Sequence, residues 1–248
     1  MTRRPGKLPR SAVRPTAASR RGRQTAVETD LSIAKRIARV LEFEIVAGTL
    51  PAGAKLAERA TAERLGVSRV PVREAAIALE RDGLLVRTPT GRLRVQELGE
   101  RDMAEILEVR RIIEPEVVRV AAERHRAEDL VPLERNLAGL SVARDLSRIS
   151  MLDAQFHDLV AAASRQARLV QAWNLFRGQF LLWIACSQRR LTINAAEVRR
   201  TTLAHHTEIV ALIRARDADG AAAYVRDQLR AAARWLLAGE AAPGRSGR

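Results

Sequence analysis

Residues 58–83 read ERATAERLGVSRVPVREAAIALERDG, and their punctuation sets the architecture. Glu58 to Leu65 has helical composition and stops at Gly66, a natural left-handed residue just past a helix end. Ser68 is placed to cap a second helix. Pro71 falls in that helix's first turn, where backbone donors have no intrahelical acceptor and a missing N–H costs nothing. This helix runs to Asp82 and stops at Gly83, with Val72, Ala75, Ala76 and Leu79 on its inner arc. A short helix, a glycine turn and a longer helix with arginines at its leading end form a helix-turn-helix.

Upstream, Leu31, Ala34, Ile37, Ala38, Leu41 and Ile45 recur at helical spacing, Gly48 supplies a stop, and Leu50-Pro51-Ala52-Gly53 reads as a turn. Downstream, Leu84 to Arg87 and Arg92 to Val95 are β-type runs joined by Thr88-Pro89-Thr90-Gly91, which is hairpin-turn composition. Three helices and a hairpin predict a winged helix-turn-helix over 31–97. From Arg101 onward only helical periods are visible, over about 101–125, 128–145, 147–163, 167–189, 193–215 and 217–238. The fold class is mainly α, an N-terminal winged helix-turn-helix followed by an all-α bundle over 98–240. Residues 1–30 lack hydrophobic periodicity and read as a disordered basic arm, and 241–248 as a flexible tail.

The composition agrees. The 248 residues are 47% hydrophobic but only 3% aromatic, enough to bury a core and better suited to helices than to a β-sandwich. The net charge of +14 points to a polyanionic partner. Its distribution is uneven: the first thirty residues hold eight basic side chains against two acidic ones, whereas 31–97 hold twelve against eight. The arm either touches DNA phosphates without sequence preference or is a solvated extension. Sequence-specific recognition must therefore rest on a few placed side chains. Cys186 is the only cysteine and reads as a small buried hydrophobe, which excludes an intramolecular disulfide framework. No apolar run reaches the length of a membrane span, and no apolar segment follows the N-terminal charges as in a secretory signal. The expected location is cytoplasmic, at the nucleoid when bound to DNA.

Arg69 and Arg73 are four apart on one face of the second helix, where each can pair bidentately with guanine in the major groove. Arg59 is placed for a phosphate or flanking base, Ser68 for a cap and backbone contact, and Thr90 and Gly91 for the minor groove or a phosphate at the wing tip. The competing reading is a solvated helix face with ion pairs to Glu74 or Glu80. In the second half, Asp153 and His157 stand one helical turn apart, and His206 takes an inward position far downstream. An Asp and two His can ligate a divalent Zn, Mn or Ni ion, although Asp at i with His at i+4 is also a common surface or capping pair. His205 is read as peripheral and His125 as solvent-exposed. Trp173, Phe176, Phe180 and Trp183 follow helical spacing and read as core or dimer interface.

These residues resemble a known family. Leu56 to Arg59, Leu65 to Ala75, Leu79 to Leu84 and Gly48 to Gly53 are similar to the GntR-type winged-helix transcription regulators. The stretch from Met103 to Ala233 resembles their FadR-type (FCD) ligand-binding domain, through Leu107 to Arg110 with Glu114, Asp153 to His157, His206 to Ile209 and Asp217 to Ala222. The resemblance implies operator contacts at Arg59, Arg69, Arg73 and Gly91. It also implies a metal held by Asp153, His157, His206 and a further histidine 22 residues later, which here is Gln228, a poor ligand that weakens or alters the site. Family members bind small organic acids or acyl-CoA in the bundle. Arg110 aligns with their pocket arginine, and Arg177, in an apolar stretch, is a second candidate for a carboxylate. For each, an intrabundle salt bridge is the alternative, Arg110 with Glu114 being an obvious pair. The implied protein is a homodimeric, ligand-responsive repressor of a palindromic double-stranded operator, with no membrane partner. The other classes are a metal-dependent enzyme using Asp153, His157 and His206, and a non-specific nucleic-acid-binding protein. For the enzyme, no separate general base, phosphate-cradling loop or nucleophile motif is found.

Overall fold

A computed structural model describes residues 33–190 and 194–238. The basic arm and the flexible tail read from the sequence lie outside them. Helix α1 (33–47) buries Ile37, Leu41 and Ile45, and ends where Gly48 turns left-handed at φ 78°. Helix α2 (Glu58–Leu65) ends at Gly66, φ 66°, whose left-handed backbone lets the next N–H, that of Val67, donate back to the Ala62 carbonyl at 3.1 Å. Helix α3 (Arg69–Arg81) follows directly after Gly66, Val67 and Ser68, with Pro71 in its first turn and Val72, Ala75, Ala76 and Leu79 buried. Ser68 occupies the N-cap position with extended backbone, but its side chain makes no capping bond, which corrects the expected capping role.

Strands β1 (Leu85–Arg87) and β2 (Leu93–Val95) pair antiparallel, Leu85 with Val95 and Arg87 with Leu93. The wing turn closes with the Gly91 N–H donating to the Thr88 carbonyl at 2.8 Å. A third segment, not expected from residue order, joins them: Lys55 bridges Arg94, the Leu56 N–H donates to Leu93, and the Val95 N–H to Ala54. So short a pairing carries no alternating pattern from which to read it.

Among the described residues six helices follow: α4 (Glu100–Arg124), α5 (Ala127–Val142), α6 (Leu146–Ala163), α7 (Ala167–Arg190), α8 (Ala195–Arg214) and α9 (Ala218–Ala238). Helix α5 stops short of the expected 145, because Asp145 caps α6 by accepting from the Arg148 N–H at 2.8 Å. Helix α4 packs along α9 and also meets α6, α7 and α8. One core runs from Leu41, Leu79 and Leu84 of the winged domain through Met103 to Phe156, Leu181 and Trp183 of the bundle. The two domains are therefore welded along an apolar seam.

His125 is a correction. It is buried at the end of α4, with Nδ1 3.1 and 3.2 Å from the Ala121 and Ala122 carbonyls, while its own carbonyl accepts from Arg216 at 2.9 Å. A polar sequence neighbourhood gave no hint of the α8–α9 turn folding over it. Cys186 is half-buried and packs against the core.

Candidate functional site

The outer face of the winged domain presents Arg59, Ser68, Arg69, Arg73, Thr90 and Gly91, all exposed. The residues buried on α3 fill one arc, which turns Arg69 and Arg73 outward at the leading end. Among the described residues neither arginine has an acidic partner. Glu80, one of the two expected, is engaged by Arg87 through a two-pronged pair at 3.0 and 2.6 Å. Arg59 does pair with Glu63 at 2.8 Å, but both side chains are so exposed that water screens the pair and leaves the guanidinium easy to recruit. At the wing, Gly91 has a left-handed backbone and open space where a Cβ would stand, so a phosphate can approach its main chain closely.

In the bundle, α6 carries Asp153 and His157 one turn apart, and α8 brings in His206. One ligand atom from each lies within 4.8 Å of the others. Asp153 Oδ1 is 3.6 Å from His157 Nε2 and 3.0 Å from His206 Nε2. That second approach lacks hydrogen-bond geometry, and among the described residues neither ring nitrogen of His206 has a hydrogen-bond partner although the residue is fully buried. Orphaned imidazole nitrogens beside a carboxylate suit a cation, so these three donors fit a divalent metal. The electrostatics agree. Burial by itself would raise Asp153, but the nearby His157 and His206 override it and hold the carboxyl well below its usual range. Burial pushes His206 down against the pull of Asp153, the direction that favours the neutral imidazole a metal needs.

The aromatic run read as core forms the wall of this site. Phe156 stacks on His206 with centroids 3.7 Å apart, and Trp173 and Phe180 pack on His157 at 5.9 and 4.8 Å. Arg110 lies over Phe180 and Trp183, 4.7 and 4.2 Å from their ring centres, and donates to Glu114 at 2.5 Å. Glu114, only 3% exposed, also faces His157 Nδ1 at 3.9 Å. The anticipated Arg110–Glu114 pair thus exists and borders the cluster. Arg177 is elsewhere: its guanidinium is shared between Asp158 at 2.7 Å and Glu42 of α1 at 3.0 Å. His205 is outside the cluster, with Nδ1 3.3 Å from the Tyr224 hydroxyl and the two rings stacked. Gln228, half-buried, stands one turn beyond Tyr224 on α9. Sequence reasoning missed Phe156, Asp158 and Glu42. Phe156 was legible as the neighbour of His157, whereas Glu42 lies 135 residues from its partner and no local signal links them.

A winged helix-turn-helix fused to a helical bundle with a buried acid-histidine cluster defines a class, the DNA-binding regulators with a sensory domain. Comparison with known proteins gives the family. Residues 33–95 match the model of the bacterial regulatory proteins of the gntR family, and 105–231 match the FCD domain. The chain belongs to the GntR family, in its FCD-containing branch, and is a DNA-binding transcriptional regulator rather than an enzyme. Among its relatives, the "Probable D-xylose utilization operon transcriptional repressor" of Paenarthrobacter nicotinovorans is 29% identical over 69% of this chain and 77% of its own length. The HTH-type transcriptional regulator McbR of Escherichia coli is 29% identical over 77% of this chain and 86% of its own. The solved structure of E. coli McbR/YncC superposes with a TM-score of 0.70 at 24% identity, covering 84% of this chain and 98% of that one, which supports the fold. Among the described residues, no helix is long and apolar enough to cross a membrane.

Proposed function

We propose that the protein is a cytoplasmic, ligand-responsive repressor that reads a palindromic operator as a homodimer. The observation that carries this reading is the pair Arg69 and Arg73, exposed and unpaired among the described residues at the leading end of α3. Each is free to donate bidentately to guanine N7 and O6. Arg59, Ser68, Thr90 and Gly91 surround them and serve phosphates and the groove edges. Two copies related by a two-fold axis double the contact and demand an inverted repeat. Several relatives bear the name repressor, which favours that sign of control.

In the bundle, Asp153, His157 and His206 hold a divalent metal, and a small organic acid is the effector. When bound, the metal supplies a positive centre for the effector's carboxylate. Arg110, next to the cluster, is the protein's own carboxylate partner, although it must loosen its hold on Glu114 to act. Arg177, with two carboxylates already on it, is the weaker candidate. Gln228 stands where the family resemblance implies a fourth ligand and leaves the site to three donors.

Selection from a random-core duplex library by the purified protein tests the reading. An inverted repeat with guanines in each half-site is expected. Enrichment of no sequence, with affinity falling steeply in salt, would reduce the protein to a non-specific binder. A thermal-shift screen of small carboxylates with Zn²⁺, Mn²⁺ or Ni²⁺, on wild type and Gln228→His, tests the effector site. Absence of any shift in the wild type overturns it.

A further inference from the structure

Helix α7 has two functional sides. One presents Trp173 and Phe180 to His157. The other meets the DNA-reading domain: a Cβ built on Gly178 would stand 1.7 Å from the Asp82 carbonyl, and Gln179 lies beside Gly83. Asp82 caps α3, so the backbone of α7 rests directly on the end of the recognition helix with no side chain between to absorb motion. Between these two sides runs a polar chain. Asp158, the residue after His157, accepts from Trp173 Nε1 at 2.8 Å and from Arg177 Nε at 2.7 Å, and Arg177 Nη1 donates to Glu42 of α1 at 3.0 Å. Glu42 is buried in the seam, which raises its carboxyl above the usual value even though Arg177 draws it down. Two carboxylates from different helices thus share one guanidinium through separate N–H donors. A helix shift of about 1–2 Å, the usual amplitude at a switching interface, is enough to break one of the two bonds.

We propose that Arg177 is a positioning residue that couples the metal and effector site to the recognition helix. Through Glu42 it clamps α7 to α1, and through Asp158 it is tied to the helix that carries His157. A change at His157 moves Trp173 and Asp158, redistributes Arg177 between its two partners, and so alters how α7 bears on Asp82. This rests on the reading of the bundle as a sensor and of α3 as the DNA reader. It gives Arg177 a different task from effector contact.

The test uses full-length protein, Ni²⁺ alone as probe, and two conservative variants: Glu42→Gln, which keeps shape but removes charge, and Trp173→Phe, which keeps a ring on His157 but removes the donor to Asp158. Two quantities are read, the ratio of affinities for a library-selected duplex with and without Ni²⁺, and hydrogen exchange of peptides over 79–85 with and without Ni²⁺. In the wild type the ratio should differ from one by about 5-fold or more, the lower end of typical coupling, and exchange over 79–85 should respond to the metal. Both variants should bring the ratio to within about twofold of one and abolish the exchange response, with Glu42→Gln still binding Ni²⁺ as the wild type does. A variant that melts at lower temperature yet keeps the wild-type ratio and exchange response reduces the chain to a structural brace and overturns the proposal, as does a wild type with no exchange response to Ni²⁺. If no duplex is selected, the regulator reading fails by itself. The exchange response then decides the coupling: present in the wild type and lost in both variants sustains it, and equal in all three overturns it.

Discussion

The arginines of the reading face and those of the bundle obey opposite rules. On α3, Arg69 and Arg73 stand in solvent with no acidic partner among the described residues, so their hydrogen-bonding capacity is open to a partner outside the bundle. In the bundle, Arg110 and Arg177 are largely buried and each is matched by carboxylates, Arg110 by Glu114 and Arg177 by Asp158 and Glu42. A guanidinium in a low-dielectric interior must be paired, whereas one at the surface gains little from pairing. Exposed arginine without an acidic partner is available to a polyanion, whereas paired arginine in a core serves architecture or a switch.

The largest expected effect breaks the first half of that contrast. Replacing Arg69 and Arg73 together with Ala should cost about 2–6 kcal/mol in operator binding, from about 1–3 kcal/mol for each bidentate base contact, with the melting temperature unchanged. Titration of the selected duplex by fluorescence anisotropy measures it, and unchanged affinity would remove α3 as the reading head. The second half is broken by Arg110→Ala, which strands Glu114 in the core at about 3–5 kcal/mol of stability in chemical denaturation. A double Arg110→Met/Glu114→Leu variant should recover most of that loss while losing the response to carboxylates. Next comes Gly178→Ala. Its Cβ collides with the Asp82 carbonyl and should cost about 1–3 kcal/mol, as overpacking does, with loosened exchange at the end of α3.

The smallest effect sharpens the contrast at a half-exposed carboxylate. Burial would raise Asp129, yet the bonds from Arg165 and from the Arg126 backbone N–H outweigh it and hold the carboxyl below its usual value. Because the folded value is depressed, the stabilisation is complete above the unfolded carboxylate range and is lost as pH falls through the folded value. Asp129→Asn should cost about 1 kcal/mol near neutral pH, as loss of a helix cap does, and the difference from wild type should vanish in acid. A gap that persists in acid would mean that charge is not what Asp129 contributes.

Much of this was legible in residue order because it is written in local punctuation. Gly48, Gly66, Gly83 and Gly91 all adopt positive φ where the helices and the wing were expected to end or turn. Asp153, His157 and His206 converge, as the one-turn spacing of the first two and the family resemblance together implied. What escaped was long-range or subtle. The burial of His125 depends on Arg216, 91 residues away, and the Glu42–Arg177 clamp joins two domains whose contact no periodicity encodes. The Ser68 cap failed for a different reason: N-cap preference identifies the position, but a hydroxyl that faces outward at the reading surface need not spend itself on its own helix.

Gly178 has a consequence for how such chains can be recombined. Because α7 meets the recognition helix backbone to backbone, the bundle and the winged domain are not interchangeable cassettes joined by a linker. A chimera that grafts this winged domain onto another sensory bundle inherits a steric specification at one point. The incoming helix must offer glycine opposite Asp82, or the two modules cannot seat at this distance, however well each folds alone.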